Sequence, residues 1–571
     1  MKKRIITILV PVVLIILVAA AAIGSMLYGR FSYSKERADM DSYFGITQAD
    51  DTAIVMQDEI VEEMAKYADG LCYFTLSTVE KYFTDRFYVN SDELVLLFTT
   101  DTDVVKINIG EGSNLMYISD VPEELGYRAA FYDGDVLYIA ADYVQKFSNL
   151  EYYLYDEPLH VQVYTQWDEY TYATLSKKTA VRYQGGRKSA VLQELAAGDH
   201  VTILEKMENW TKVKTADSII GYVENKFLTD ESVAQRVCNT GFEELVYHNV
   251  EKEGTINLTF HQVFEEVDGN YLANALSASK SVNVVSPTWF RLSDSSGSFT
   301  SLANASYVNK AHELGIEVWA LVTDVDSEDL FGVSIDFVEL LSSSANRRTL
   351  IDGLMAQVDA YGLDGINIDF EKVKNPAGTH FVQFLRELSI ETRKRGVVLS
   401  VDNFVPSEYT AHYNRKEQGI VVDYVIIMGY DEHYVGGGVA GSNASIDFVE
   451  NGIVNTKESV PAEKIINAIP FYTRVWASGP DGLTASTLTM SSQQDWIERT
   501  GVTPVWMDEY CQNYAEYQSG DTVYQCWLED VSSIQVKLQV MQSQGIKGVA
   551  SWKLGIEDPA VWDVISAYVT Q

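Results

Sequence analysis

The sequence predicts an α/β chain: a (β/α)8 TIM barrel over residues 245–571, preceded by two small β-rich domains and an N-terminal transmembrane helix. Three observations carry this prediction. A helix, a glycine and an apolar strand recur along the C-terminal half: Ala305–Leu314, Gly315 and Glu317–Thr323; Leu350–Tyr361, Gly362 and Gly365–Phe370; Phe381–Arg395, Gly396 and Val397–Asp402; Ile534–Gln544, Gly545 and Gly548–Trp552. These strands are nearly unbroken apolar runs, as expected of parallel strands covered by helices. The section before them reads instead as short alternating strands broken by polar turns, and one long apolar run opens the chain.

In order along the chain, Lys2, Lys3 and Arg4 precede an apolar run from Ile5 to Leu27. As a helix this run is roughly 30 Å long, enough to cross a bilayer and longer than the apolar part of an ordinary signal peptide. The basic cluster before it predicts an inside N-terminus and an extracytoplasmic body, anchored by a single pass. The Ala19–Ala22 tract leaves the alternative of a cleaved, secreted form. Residues 31–70 are polar and acidic and read as a membrane-proximal stalk.

Composition excludes some classes of function. Apolar residues at 46% and charged residues at 22% describe an ordinary globular chain. The 43 basic against 81 acidic side chains give a net charge of -38, which repels nucleic acid. The four cysteines (Cys72, Cys238, Cys511, Cys526) are too scattered for a disulfide framework, although Cys511 and Cys526 lie close enough in sequence to bridge or to stay as two thiols. No zinc spacing occurs, and the acidic stretch Asp324–Asp329 lacks the central glycine and closing glutamate of a calcium loop, so neither metal nor cofactor is predicted.

Residues 71–170 read as a small β-rich domain with strands at Glu93–Thr99, Val104–Ile109, Ala129–Phe131, Val136–Ala140 and Tyr152–Tyr155. The section resembles the stalk domain named after copper amine oxidases, a likeness that implies positioning or binding and not oxidase chemistry. A second β unit at 175–230 has strands at Ala180–Tyr183, His200–Met207, Trp210–Lys214 and Gly221–Glu224. Its run from Trp210 through Val213, followed by Gly221-Tyr222-Val223, resembles a bacterial SH3 domain, a type that accompanies cell-wall enzymes. Trp210 and Tyr222 taken singly read as barrel core.

In the barrel, Ile256–Phe260, Val282–Ser286, Tyr424–Met428 and Ile465–Pro470 complete eight strands, with chemistry expected at their C-terminal ends. The fourth strand runs Asp364-Gly-Ile-Asn-Ile-Asp-Phe-Glu371. Strand alternation sets Asn367, Asp369 and Glu371 on one face, pointing inward, and Ile366, Ile368 and Phe370 on the other. Carboxylates about 7 Å apart on one face repel, which raises the proton affinity of at least one and suits it to general acid work. The same pattern also fits an acidic strand end solvated at the barrel rim.

This strand resembles the DGxxxDxE signature of glycoside hydrolase family 18, with Asp364, Gly365, Asp369 and Glu371 matching. Met428-Gly-Tyr430-Asp431, Pro470-Phe-Tyr472-Thr-Arg474 and Trp552 fit the family's sixth, seventh and eighth strands. Asn367 is similar to the branch of spore cortex-lytic and peptidoglycan N-acetylglucosaminidases. The resemblance implies Glu371, Asp369 and Tyr430 as catalytic residues, and Asn367, Asp364, Trp552, Asp431, Tyr472 and Arg474 as substrate-binding ones. In it Glu371 is the general acid, Asp369 and Tyr430 hold the substrate's acetamide, and Trp552 floors the sugar. Asp431, Tyr472, Arg474 and Trp289 equally suit packing or a salt bridge. Asn367 cannot take up a proton from Asp369 as an aspartate there would, which shifts or narrows the expected pH profile.

The implied activity is retaining, substrate-assisted cleavage of β-1,4 linkages next to N-acetylglucosamine, in peptidoglycan or spore cortex. The implied partners are that polysaccharide and a membrane, with no nucleic acid. The alternatives are a chitinase or endo-N-acetylglucosaminidase on other glycans, a catalytically silent glycan-binding protein, and a sporulation assembly factor. The 35 Tyr and 10 Trp suit sugar stacking under each glycan reading.

Overall fold

The computed structural model describes residues 2–110, 112–325 and 327–570, with only the backbone described at residues 2–10 and 27. Asp326 lies outside the described residues, so the reading of Asp324–Asp329 as a solvated loop is followed only in its flanks. The chain divides into two units, one of residues 1–89, 94–97 and 106–244, the other of 90–93, 98–105 and 245–571.

The first unit opens with a helix over Lys2–Phe31, whose Pro11–Phe31 segment is long and apolar enough to cross a membrane. The acidic stalk expected at 31–70 is not a stalk. Asp51–Met56 and Glu59–Ala68 are strands inside a seven-stranded sheet, paired with each other and flanked by Leu159–Tyr164 and Leu71–Thr75. Ala53, Ile54 and Val55 are fully buried there. Glu59, Glu62 and Glu63 lie on the half-exposed Glu59–Ala68 strand, and the other acidic residues precede the sheet, open its Asp51–Met56 strand or sit in the turns, so a solvated strand and its surroundings resemble a stalk in composition. The small domain begins near residue 51, not at 71.

The SH3-like unit is also larger than the sequence implies. Its sheet runs from Glu169–Leu175 to Leu228–Gln235, with Trp210–Lys214 and Ile220–Glu224 paired at its centre. The segment after the N-terminal helix is strapped along its edge. Ser34 N–H donates to Arg187 C=O at 2.8 Å, Val191 N–H to Glu36 C=O at 2.8 Å, and Ala38 N–H to Val191 C=O at 2.9 Å. The Tyr33 ring sits among Arg182, Arg187 and Lys226, and its hydroxyl donates to Glu224. Phe44, Ala53 and Val55 pack with Leu175, Val181, Val213 and Val223 in one core.

The second unit is a closed barrel. Its strands are β1 (Ile256–His261), β2 (Val284–Pro287), β3 (Glu317–Thr323), β4 (Gly365–Asp369), β5 (Val398–Phe404), β6 (Tyr424–Met428), β7 (Ile465–Pro470) and β8 (Gly548–Trp552). Every neighbouring pair is parallel, and β8 closes on β1. Alternation divides the apolar residues into two layers. Leu258, Phe260, Trp319, Leu321, Ile426, Ile466 and Ala550 fill the barrel. Ile366, Ile368, Phe370 and Val401 face outward, in one cluster with Leu354, Phe381, Phe384 and Leu388 of the surrounding helices.

Two glycines fix the approach to β4. Gly362 ends the helix Ser344–Tyr361 in the left-handed conformation, φ 67°, which a side chain rarely adopts. At Gly365 a Cβ would lie 2.8 Å from the Trp319 ring, so only glycine admits that indole into the barrel.

Between β7 and β8 the chain inserts an antiparallel five-stranded sheet that the sequence analysis did not anticipate. Its strands lie between Tyr472 and Leu528, beginning with Tyr472–Gly479 and ending with Thr522–Leu528. Cys511 and Cys526 belong to this insertion, and both are free thiols.

Candidate active site

The inward faces of β3, β4 and β5 end in a cluster of carboxyl groups at the C-terminal mouth of the barrel. Asn367 and Asp369 are buried on β4, and Glu371 follows, half-buried, just beyond the strand. Asp324 lies just beyond β3 and Asp402 on β5, both buried. Glu371 is oriented through its own backbone, whose N–H donates to Asp324 Oδ1 at 2.8 Å. Asn367 Nδ2 donates to Asp402 Oδ1 at 2.9 Å and to Ser400 Oγ at 3.0 Å.

Burial and mutual repulsion control the protons here. Asp369 is held well above the usual carboxylate range, first by loss of water and then by the negative fields of Glu371, Asp402 and Asp324; a Thr323 hydrogen bond opposes this. Asp402 is pushed up to about 8 by burial, with Asn367 pulling it down and Glu371 pushing it up. Asp324 is raised by burial against the pull of the Glu371 backbone N–H. The cluster therefore retains protons at neutral pH that exposed carboxylates would lose.

The other predicted residues fall into three groups. Tyr430 follows β6 and reaches the same mouth, its hydroxyl held protonated by burial and by the fields of Tyr472, Asp402, Asp369 and Glu371. Its ring meets that of Tyr472 edge-on at 6.3 Å. Trp552 ends β8, half-buried, with its ring 5.5 Å from Phe260 of β1. The insertion's first strand brings Tyr472 and Arg474 to Asp431. The Tyr472 hydroxyl donates to Asp431 Oδ1 at 2.7 Å and the Arg474 guanidinium to the same oxygen at 2.5 Å. Asp431, at φ 59°, is thus a charged anchor between the β6 loop and the insertion.

Two residues are not at the mouth. Asp364 precedes β4 at the opposite end of the barrel, about 16 Å along the strand from Asp369. Its carboxylate accepts from Val318 N–H at 2.8 Å and pairs with His312 Nε2 at 2.8 Å, fastening β3 and its preceding helix to β4. Its expected role in binding substrate is corrected to a structural one, because strand length alone separates it from the site. Trp289 is fully buried and packs edge-on against Tyr307 at 4.9 Å, so it belongs to the core.

Asp402, Ser400 and Asp324 join the site without having been singled out as site residues from the sequence. The signal for the first two was available: in Val398-Leu-Ser-Val-Asp402, alternation puts Ser400 and Asp402 on the inward face. Asp324 sits one residue beyond a strand and carried no such signal. His261, at the end of β1, was also unread; it is buried between Tyr271 and Tyr307, bonded to the Tyr307 hydroxyl at 2.8 Å, and pushed down to about 4 by burial and Lys553.

Residues 295–557 match Glycosyl hydrolases family 18, and residues 177–229 match the Bacterial SH3 domain. A Bacillus subtilis (strain 168) protein named as the sporulation-specific glycosylase YdhD is 29% identical over 275 residues, 46% of this chain and 63% of that one. The cortical fragment-lytic enzyme of Bacillus anthracis is 26% identical over 237 residues, 40% of this chain and 54% of that one. The chain thus spans less than two thirds of the length of either relative. Among solved structures, the C-terminal domain of a Desulfitobacterium hafniense DCB-2 protein described as a chitinase superposes with a TM-score of 0.50 at 20% identity, covering 56% of this chain and all of that domain, a likeness of fold. The barrel carries a family 18 glycoside hydrolase domain, and a bacterial SH3 domain precedes it.

Proposed function

We propose that this chain is a retaining, substrate-assisted glycoside hydrolase that cleaves β-1,4 linkages next to N-acetylglucosamine in peptidoglycan or spore cortex. The observation that carries the reading is the convergence of Asp369, Glu371 and Tyr430 at one barrel mouth, beside raised carboxyl groups. Glu371 protonates the departing glycosidic oxygen while the substrate's own acetamide oxygen attacks the anomeric carbon. An oxazolinium ion forms, and the C–O bond to the leaving sugar breaks. Asp369 accepts the acetamide N–H and offsets the positive charge, and Tyr430 donates its hydroxyl to the acetamide oxygen. Water, deprotonated by Glu371, then opens the ring of the intermediate. Trp552 supplies an apolar face for the sugar, and Asp431 with Arg474 borders the groove.

The names of the two Bacillus relatives favour cortex or peptidoglycan over chitin as the polymer. The apolar N-terminal helix supports a single-pass anchor with the barrel outside the membrane. Substitution of Glu371 by Gln keeps the shape and removes the proton. In a chain beginning at residue 32, the expected loss is about 10²- to 10⁴-fold in reducing ends released from peptidoglycan and from N-acetylglucosamine oligomers. An unchanged rate would remove Glu371 from the chemistry. Binding without cleavage by both proteins would make the barrel a glycan-recognition module.

A further inference from the structure

Asp402 is a buried acid at the mouth that the proposed chemistry leaves unused. The β4–β5 ladder pairs Asn367 with Ser400 and Ile368 with Val401, so the next step sets Asp369 beside Asp402, about 5 Å apart between strands. Both belong to the inward alternation of their strands. The Asn367 amide joins this pair from below: Nδ2 donates to Asp402 Oδ1, while its amide oxygen is buried and accepts no hydrogen bond among the described residues. A donor on Oδ1 favours Asp402 as the anion. An unfilled buried acceptor favours a donor nearby, and a protonated carboxyl is one. The other groups facing the pair are Glu371 from β4, Asp324 and Thr323 from β3 and its end, and Tyr430 from beyond β6. Like charges this close do not both ionise readily, and their protons belong to the pair.

We propose that Asp369 and Asp402 share one proton, which rests on Asp369 in the free site and passes to Asp402 when a substrate acetamide N–H arrives. The transfer breaks one carboxylic O–H bond and forms another, with no change in the charge of the site and no further reactant. The arriving N–H stabilises the Asp369 carboxylate, which is the form that offsets an oxazolinium charge. The proton returns when the intermediate is hydrolysed. Asp402 is thereby a positioning residue, on a strand neighbouring the one that carries Asn367. The timing within turnover rests on the glycosidase reading; the shared proton does not, and is measured without turnover.

The test is infrared difference spectroscopy of the full chain in detergent at neutral pH, reading the carbonyl stretch of protonated carboxyl groups. Asp402→Asn is expected to remove the signal of the pair, and Asp369→Asn to remove the same signal, because each variant takes away the like-charged partner with which the proton is shared, while Glu371 and Asp324 stay in place in both. A signal that persists in either variant, or its absence from the wild type, overturns the proposal. If Asp402→Asn does not fold, Asp402→Ser takes its place and is expected to give the same loss; a signal that persists in it overturns the proposal. Adding an N-acetylglucosamine oligomer to the Glu371→Gln chain is expected to keep the signal and move its frequency; its loss to solvent overturns the transfer. If no glycan is cleaved while the paired loss is seen, the functional reading fails and the shared proton stands.

Discussion

At the scale of single residues, the carboxyl cluster links chemistry to stability. Asp402 has a folded-state proton affinity raised from about 4 to about 8. A raised affinity favours the fold fully at pH values below the unfolded-state value, and that contribution is lost as pH rises toward the folded-state one. Stability from this group therefore falls between about pH 4 and pH 8. Asp402→Asn, which keeps the hydrogen bond from Asn367 but holds no proton, should flatten that decline. The melting temperature of the variant relative to the wild type should rise steadily across the window; a constant difference would show that the Asp369–Asp402 pair holds no extra proton in the folded state. Asp402 was legible in principle, since Ser400 and Asp402 alternate with apolar neighbours, but a strand read as one apolar run hides its inward polar positions. Asp364 shows the opposite error: membership of a motif suggested proximity that a five-residue strand forbids.

At the scale of elements, the helix–glycine–strand phrases were legible because each barrel strand is buried on both faces and each helix on one. Glu317–Thr323, Tyr424–Met428, Ile465–Pro470 and Gly548–Trp552 lie where the pattern places them. The insertion after β7 was not legible, because strands such as Gly482–Thr489 alternate exposed and half-buried residues and carry no long apolar run. The segment 31–70 misled for a related reason, its acidic side chains lying on a half-solvated strand, in the turns beside it and ahead of the sheet. The strap at residues 32–38 has its own consequence. Its three backbone hydrogen bonds and the Tyr33 cation contacts should stabilise the SH3-like unit by about 2–4 kcal/mol. A chain beginning at residue 39 should therefore unfold in that unit at lower denaturant concentration than one beginning at residue 32. Equal midpoints, read by Trp210 fluorescence, would show that the strap contributes nothing.

At the scale of the whole molecule, the order of parts suits work near a membrane: an apolar helix, a strapped SH3-like unit, then a barrel whose mouth gathers acids. The net charge of -38 leaves nucleic acid an unfavourable partner, and the proposed chemistry is directed at a neutral acetamido sugar. In the proposed chemistry the substrate's acetamide, and not an enzyme carboxylate, is the nucleophile, held by Asp369. Two successive displacements then preserve the configuration of the anomeric carbon. The most direct measurement is proton NMR of the first product released from a β-1,4-linked N-acetylglucosamine oligomer, followed before mutarotation, alongside the same oligomer with its acetyl groups removed. The β-anomer is expected first, with no cleavage of the deacetylated oligomer. The α-anomer first, or equal cleavage of both oligomers, would contradict it.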